Sequence, residues 1–207
     1  MRIIAGYYRG RRIQALDGLT TRPTTDRVKE SLMSAIASAR GGFEGALVFD
    51  AFAGSGALGL EAISRGAQHV SFCERDLAAF RILKKNIESL DISQTCYSLF
   101  NKDSFTWRPQ EAIKPFDLVF FDPPYNLKPK HVVDLIQNWY KVGVIDSRTL
   151  IVYEHAKKMD SQLEESLNSL QCELVSHRNY GDTAIDIIAL CDEKDYTLIN
   201  RDEGSSL

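Results

Sequence analysis

The amino-acid sequence predicts an α/β protein in which a doubly wound, mostly parallel sheet carries an antiparallel last strand. From about residue 46 onward, apolar runs typical of strands alternate with segments of helical periodicity, which favours a parallel sheet. The runs ALVF and DLVFF are apolar on both faces, as expected of a sheet covered by helices on each side. Only residues 179–183 separate the last two strand runs, too few for a helical crossover, so one of these strands must run antiparallel.

An N-terminal arm precedes this alternation. Residues 2–6 and 11–16 have the composition of two short strands, and the turn between them predicts a small hairpin. N-capping residue types at 24–26 predict a helix that continues to about residue 39, where two glycines follow. This organisation divides the chain into three parts, a basic hairpin–helix arm, a main domain and an acidic tail: residues 1–42, 43–191 and 192–207.

The periodicity of the main domain predicts seven strands and four clear helices. The predicted strands cover residues 46–50, 68–74, 95–100, 116–121, 148–154, 172–178 and 184–190. The predicted helices cover residues 57–65, 76–90, 128–141 and 160–169, with a weaker one near 104–113.

Composition restricts the class of protein further. With 207 residues, 44% hydrophobic and 26% charged, the chain has the size and balance of one soluble domain. No apolar stretch approaches the roughly 20 residues of a membrane span, and we see no export signal. The four cysteines form no CxxC pair, so we expect neither a metal site nor disulfides, and a cytoplasmic location.

The charge is distributed unevenly along the chain. Residues 1–45 contain eight Lys and Arg against four Asp and Glu, a balance of +4. The remaining 17 basic and 24 acidic residues give the rest of the chain a balance of −7. A basic arm on an acidic body indicates that the arm meets a polyanion, although an ordinary solvated surface would give the same count.

A glycine-rich loop joins the first predicted sheet strand to its helix, with the sequence Asp50-Ala-Phe-Ala-Gly54-Ser-Gly56-Ala-Leu-Gly59. Glycines at such a position let the backbone turn tightly and approach a ligand without Cβ atoms in the way. The same spacing also fits a nicotinamide dinucleotide site, so the glycines alone do not identify the cofactor.

Two acidic residues favour a different cofactor. Asp50 closes the strand before the loop, where a carboxylate would repel a pyrophosphate but would suit a ligand with an ammonium and a sulfonium centre. Glu74 ends the next strand, 20 residues after Gly54, and is placed to accept hydrogen bonds from ribose hydroxyls. Together they indicate S-adenosylmethionine.

The turn Asp122-Pro123-Pro124-Tyr125 follows the fourth predicted strand. Two prolines make the turn stiff and leave carbonyl oxygens available. An amine on an aromatic ring is a weak nucleophile, because its lone pair is delocalised. The Asp122 carboxylate and a carbonyl of the turn can each accept a hydrogen bond from one N–H group of the amine. These bonds would orient the lone pair of the amine towards a methyl group, while Tyr125 stacks on the base. This chemistry is a direct methyl transfer with no covalent enzyme intermediate.

With these motifs the sequence resembles the bacterial RsmD family over nearly its whole length, to about residue 190. The most specific segment is Arg22-Pro-Thr-Thr-Asp-Arg-Val-Lys-Glu-Ser-Leu32, since methyltransferases in general lack it. The resemblance is supported by the Asp122 turn and by the segment Phe52-Ala-Gly-Ser-Gly-Ala-Leu-Gly-Leu-Glu-Ala62. The resemblance implies a class I, Rossmann-like methyltransferase that modifies the exocyclic N2 of guanine 966 in 16S ribosomal RNA, within a partly or fully assembled small subunit.

The resemblance also implies roles for individual residues. The positions implied to contact S-adenosylmethionine are Asp50, Phe52, Ala53, Gly54, Ser55, Gly56, Glu74, Arg75, Asn101, Asp103 and Asp122. Family members often have Asp at position 101, so either Asn101 or Asp103 would meet the adenine amine. The positions implied to face RNA are Arg9, Arg11, Arg12, Arg22, Thr24 and Arg27. The resemblance implies no metal, and we expect a monomer.

Other interpretations of these motifs remain open at this point. A DNA adenine or protein glutamine methyltransferase would use a similar Pro-Pro turn, although the chain lacks a separate target-recognition domain. A nicotinamide-dependent oxidoreductase would explain the glycines but not Asp50 or the Asp122 turn. A catalytically inactive RNA-binding module would retain the arm without methyl transfer.

Overall fold

The structure is a computed structural model that describes residues 1–15, 26–109 and 114–191. The strands are β1 (Leu47–Asp50), β2 (His69–Cys73), β3 (Tyr97–Phe100), β4 (Leu118–Phe121), β5 (Leu150–Ala156), β6 (Cys172–Tyr180) and β7 (Thr183–Leu190). The helices are α1 (Asp26–Arg40), α2 (Ala57–Ser64), α3 (Leu77–Leu90), α4 (Pro129–Lys141) and α5 (Asp160–Leu167). Single 3₁₀ turns cover Gln94–Cys96 and Lys157–Met159.

The strands form one seven-stranded sheet in the order β3-β2-β1-β4-β5-β7-β6. Neighbouring strands from β3 to β5 are parallel, while β7 is antiparallel to both β5 and β6. The predicted fold class is therefore confirmed, and β7 is the antiparallel member. The strand order reverses between β1 and β4, and ligands of such sheets bind at this switch point, outside the carboxyl ends of the strands.

Each face of the sheet has its own apolar core, because side chains alternate along a strand. Val48 and Phe120 belong to a cluster with buried residues of α1, α2 and α3. Phe49 and Val119 point the other way, into a cluster with Trp139 and other residues of α4 and α5. Burial on both faces explains why these strands are apolar throughout.

The predicted N-terminal hairpin forms, but it is too short to count as a pair of regular strands. Within residues 1–15 the Ile3 amide donates to the carbonyl of Arg11 at 3.0 Å, and an antiparallel bridge flanks this bond. The pairing stays short because the next amides, those of Ile4 and Ala5, donate to the carboxylate of Glu61 on α2, at 2.8 and 3.0 Å.

The weak helix predicted near 104–113 is wrong where the structure describes it. Residues 104–106 form a turn, residues 107–109 have no regular structure, and 110–113 lie outside the described residues. Pro109 disfavours a helical conformation at the residue before it. Trp107 is buried against Phe49 of the sheet, so tertiary packing determines the path of this segment.

Among the described residues, no helix is both long and apolar enough to cross a membrane.

Candidate active site

The loop between β1 and α2 has the backbone conformation that its glycines predict. Gly54 and Gly56 have φ of 53° and 87°, in the left-handed region that favours glycine. A Cβ on Gly54 would meet no atom within 4 Å, so open space lies beside this part of the loop. A Cβ on Gly59 would lie 2.2 Å from the Phe72 ring, so Gly59 permits close packing of α2 on the sheet.

The other predicted loop residues hold the loop in place through their backbones. The Ala53 amide donates to the carbonyl of Cys73 at 3.1 Å, and the Ser55 carbonyl accepts from the Asn86 side chain at 2.8 Å. The Phe52 ring is half-buried and packs edge-on against Phe105. Their predicted contacts with a cofactor stay predictions.

Asp50 is buried at the end of β1, where its Oδ2 accepts a hydrogen bond from the amide of Gly59 at 3.0 Å. It therefore satisfies a free amide in the first turn of α2. Burial raises the pKa of Asp50 to about 7, although the hydrogen bond from Gly59 lowers it. The negative charges of Asp122 and Glu74 raise this pKa further. A cation bound beside Asp50 would stabilise its ionised form.

Glu74 follows β2 and connects the glycine loop to the start of α3. One carboxylate oxygen accepts from the amide of Gly54 at 2.8 Å, and the other accepts from the amide of Asp76 at 2.6 Å. The side chain is half-buried. The structure thus brings Glu74 and Gly54 together as predicted, while the contact with a ribose stays a prediction.

Residues after β3 lie next to this carboxylate. The Asn101 amide group donates to the carbonyls of Glu74 and Arg75, at 2.8 and 3.2 Å. Asp103 accepts from the Phe105 amide at 3.0 Å, and its second oxygen lies 3.4 Å from the Arg75 guanidinium. The donors of Asn101 are thus engaged with the backbone, whereas the Asp103 carboxylate has further acceptor capacity.

A cavity of about 520 Å³ lies on the α4 side of these residues. Its lining includes Arg75 and Phe105, together with Leu127 from the loop after the Pro-Pro turn. Residues of α4 complete it: His131, Asp134, Leu135 and Asn138. Its lining does not include the glycine loop. Of its lining residues, only Arg75 was among the predicted site residues.

Asp122 lies directly after β4, and burial raises its pKa. Pro123 is buried, whereas Pro124 and Tyr125 are exposed. The Pro124 carbonyl accepts from the amide of Leu127 at 2.9 Å, closing the turn. The Tyr125 hydroxyl bonds the Thr183 hydroxyl at 2.9 Å, which ties this turn to the start of β7.

Glu154 is an acidic residue of this site that sequence reasoning missed. It belongs to β5 and is 7% exposed, with the Tyr125 hydroxyl 3.5 Å from its Oε1. The pairing of Phe121 with Tyr153 places the next residues, Asp122 and Glu154, side by side. Burial and the Asp122 charge raise the pKa of Glu154. In the sequence, Glu154 could have been recognised as a candidate only because it is a carboxylate that directly follows the apolar run LIVY.

A buried ion pair between α1 and α2 also went unpredicted. Lys29 and Glu61 are almost fully buried and lie 3.3 Å apart, and Arg65 lies 2.9 Å from the other Glu61 oxygen. Burial lowers the pKa of Lys29. Since Glu61 also binds the amides of Ile4 and Ala5, this carboxylate fastens the arm to the helix that follows the glycine loop.

The predicted RNA-facing arginines lie on the surface where the structure describes them. Arg9, Arg12 and Arg27 are exposed. Arg11 is exposed too, and its guanidinium donates to the carbonyl of Ser89 near the end of α3. The remaining two predicted positions lie outside the described residues: Arg22 and Thr24.

A family model described as Conserved hypothetical protein 95 matches residues 1–189. The chain belongs to this family, the RsmD family that its motifs predict. It is 34% identical over 190 residues to "Putative rRNA methyltransferase YlbH" of Bacillus subtilis, a match that covers 90% of this chain and 97% of the relative. It is also 39% identical over 149 residues to Ribosomal RNA small subunit methyltransferase D of Haemophilus influenzae, covering 70% and 76%.

Solved structures of related proteins have the same fold as this RsmD-family chain. The protein described as "Putative methyltransferase yhhF from Escherichia coli" superposes with a TM-score of 0.72 at 29% identity, covering 92% of this chain and 97% of that one. The structural relatives and the strand order show the Rossmann-like fold of class I methyltransferases.

Proposed function

We propose that this RsmD-family protein transfers a methyl group from S-adenosylmethionine to the exocyclic N2 amine of guanine 966 in 16S ribosomal RNA. The observation that carries the proposal is the position of the Asp122 turn. It follows β4, across the switch point from the glycine loop that follows β1, so a methyl donor and an amine can meet there. The names of the relatives, ribosomal RNA small subunit methyltransferases, support the substrate.

The residues present suit S-adenosylmethionine in charge and in shape. Open space beside Gly54 leaves room for the ligand, and the ion pairs among the described residues do not include the buried Asp50. In our assignment Glu74 accepts from the ribose hydroxyls at the rim, and Asp50 faces the cationic end. When bound, the cofactor supplies an electrophilic methyl group.

For the adenine end we assign the amine contact to Asp103. The donors of Asn101 hold the backbone of Glu74 and Arg75, so Asn101 positions these residues instead. The Asp103 carboxylate stands by the cavity that Arg75 and Phe105 line, and the Phe105 ring can stack on a flat heterocycle. Phe52, Ala53, Ser55 and Gly56 complete the proposed contacts.

At the other end of the site, Asp122 orients the target amine. Its carboxylate accepts a hydrogen bond from one N–H group of the amine, and a carbonyl of the Pro123–Pro124 turn accepts a hydrogen bond from the other. Tyr125 stacks on the base. Holding amine and methyl in line can lower the barrier by roughly 7–11 kcal/mol. The amine loses its proton after it has been methylated, so Asp122 need not act as a strong base.

The basic arm supplies affinity for the RNA in this proposal. Arg9, Arg12 and Arg27 are exposed, so they can meet phosphates without disturbing the core. We assign the same role to Arg11, Arg22 and Thr24. The arm over residues 1–42 then binds RNA, residues 43–191 carry the chemistry, and the acidic tail over 192–207 has no assigned role. The protein acts as a monomer in the cytoplasm, on the small subunit and without a metal.

Methyl transfer to defined particles tests this function. Small-subunit particles from a bacterial strain that lacks the enzyme are incubated with the protein and radiolabelled S-adenosylmethionine, and the modified nucleotide is mapped by mass spectrometry. We expect one N2-methylguanine at position 966 and no label with the Asp122→Ala variant. Label on another base, on DNA or on protein would assign a different substrate, and binding of NADH in place of S-adenosylmethionine would exclude methyl transfer.

A further inference from the structure

A second carboxylate stands beside Asp122, and the proposed chemistry does not use it. Glu154 lies on β5, the strand next to β4. The parallel register pairs Phe120 with Val152 and Phe121 with Tyr153, so Asp122 and Glu154 are neighbours on the same face of the sheet. Neighbouring strands lie about 4.8 Å apart, a spacing at which two carboxylates can bind adjacent groups of one ligand.

The environment of Glu154 leaves its carboxylate with unused acceptor capacity. Only 7% of the residue is exposed, and among the described residues its side chain has no ion pair. The one hydrogen bond described for it is the long contact of 3.5 Å from the Tyr125 hydroxyl, which has a closer partner in Thr183. A buried carboxylate without a cation is costly unless hydrogen bonds satisfy it, so a donor from a ligand would stabilise it.

Guanine offers such a donor next to its N2 amine. Its Watson–Crick edge has an N1–H beside the N2 amine, whereas adenine has an acceptor at N1 beside its N6 amine. A carboxylate at the N1 position therefore attracts guanine and repels adenine.

We propose that Glu154 is a specificity-determining residue that accepts the N1–H of the target guanine while Asp122 holds the N2 amine. This inference rests on the proposed function and adds a reason for the choice of base. The Asp122 turn alone recognises an exocyclic amine, so it cannot distinguish guanine from adenine. The pair Asp122–Glu154 recognises two adjacent donors, which among the two purines only guanine presents.

An alternative role for Glu154 is purely structural, since it could orient Tyr125 through their contact. The two roles differ in their response to a change of base. A structural role affects every base that enters the pocket, while direct recognition affects only bases with a donor at N1.

The test uses small-subunit particles reconstituted with 16S RNA that carries guanine or 2-aminopurine at the target position. 2-Aminopurine keeps the amine at position 2 but has an acceptor at N1. The full-length protein, Glu154→Gln and Tyr125→Phe are compared by kcat/KM for methyl transfer. Calorimetric S-adenosylmethionine binding shows that each variant is folded.

We expect the parent to prefer guanine by at least about tenfold, because 2-aminopurine leaves Glu154 unsatisfied. Glu154→Gln should lose at least about tenfold on guanine and much of this preference, because its amide can donate to the N1 acceptor. Tyr125→Phe should keep the parental preference, since it removes only the hydroxyl.

Two results would contradict these assignments separately. If Glu154→Gln slowed both bases equally and kept the parental preference, Glu154 would only orient Tyr125, and the proposed function would stand. If the parent labelled no guanine in particles of either kind, the proposed function itself would be wrong.

Discussion

At the scale of single residues, carboxylates lie at the carboxyl ends of different strands, and in the proposed function they serve different steps. Asp50 and Glu74 surround the glycine loop, while Asp122 follows the strand across the switch point. Burial raises the pKa of Asp50 and of Asp122, so neither carboxylate is stabilised by its protein surroundings alone. In the proposed function, ligand groups that supply positive charge or hydrogen-bond donors complete this site.

Asp122→Ala should reduce single-turnover methyl transfer at least about a hundredfold and leave S-adenosylmethionine affinity nearly unchanged. The assigned role, orientation of the amine, contributes in the transition state and not to ground-state cofactor binding. Asp122→Asn is the matched control, since it keeps one acceptor oxygen and should retain more activity than Ala. A rate for Asp122→Ala within a few-fold of the parent would exclude this role.

Glu74→Ala should weaken S-adenosylmethionine binding by at least about 1.5 kcal/mol in calorimetry, through the loss of charge-assisted hydrogen bonds to the ribose. Part of this loss would come from the loop, because Glu74 also binds the amides of Gly54 and Asp76. Glu74→Gln keeps one oxygen acceptor and should lose less. Unchanged affinity in a folded Glu74→Ala variant would remove Glu74 from the site.

At the scale of elements, the contact between the arm and α2 is the feature that regular secondary structure does not explain. Glu61 binds two backbone amides of the arm and two basic side chains, and it has no exposed surface. Gly6 lies against the end of α2, where a Cβ would fall 1.7 Å from the Ser64 carbonyl oxygen. These contacts therefore fasten the first residues of the arm to the helix that follows the glycine loop.

Glu61→Ala should destabilise the protein by about 3–5 kcal/mol in urea unfolding, because it leaves Lys29 buried without its partner. The double variant Glu61→Leu with Lys29→Met should recover part of this loss, since it removes both charges. Asp134→Ala is the control: it breaks the exposed pair Lys130–Asp134 and should cost less than about 1 kcal/mol. Equal effects of Glu61→Ala and Asp134→Ala would contradict the proposed importance of the buried pair.

At the scale of the whole molecule, the arm and the body differ in charge, and the proposed function uses this difference. Residues 1–45 carry a balance of +4 and the rest a balance of −7. The acidic groups of the site would repel phosphates, whereas exposed arginines of the arm attract them. In the proposed function, the arm provides affinity for any RNA backbone, and the pocket selects the base.

Replacing Arg9, Arg11 and Arg12 together by Ala should weaken binding to the small subunit. It should also flatten the salt dependence by up to about 0.7–0.9 in log–log slope for each phosphate that the arm no longer neutralises. S-adenosylmethionine affinity and the identity of the methylated base should stay the same.

The control for this triple variant changes the same charge on the opposite face of the sheet, where α4 packs. Lys114, Lys141 and Arg148 are exposed and lie near the amino ends of β4 and β5, away from the proposed pocket. Their replacement by Ala should leave RNA binding nearly unchanged. Parental affinity and salt slope in the arm variant would show that the arm is a solvated surface only.

Features that depend on local patterns could be predicted from the sequence. Alternating apolar runs predicted the seven strands and the antiparallel ending, and the structure confirms both. The glycine loop was recognisable because positive φ at Gly54 and Gly56 is a local requirement of the backbone. Asp122 was recognisable because two prolines follow it directly. Local patterns failed at residues 104–109, where packing around Trp107 outweighs helix propensity. At residues 2–6 the predicted hairpin forms, but bonding to α2 keeps it short.

Contacts between residues that are distant in the sequence could be identified only in the folded structure. Glu61 binds amides 56 and 57 positions away, and Glu154 reaches Tyr125 across 29 positions. These partners follow from strand order and from a register in which a shift of one residue would turn Glu154 to the opposite face. A lone acidic residue in an apolar segment gives no indication of its partner, because side-chain contacts depend on how the elements pack together. The buried Lys29–Glu61 pair and the neighbouring carboxylates Asp122 and Glu154 therefore became visible only in the folded chain.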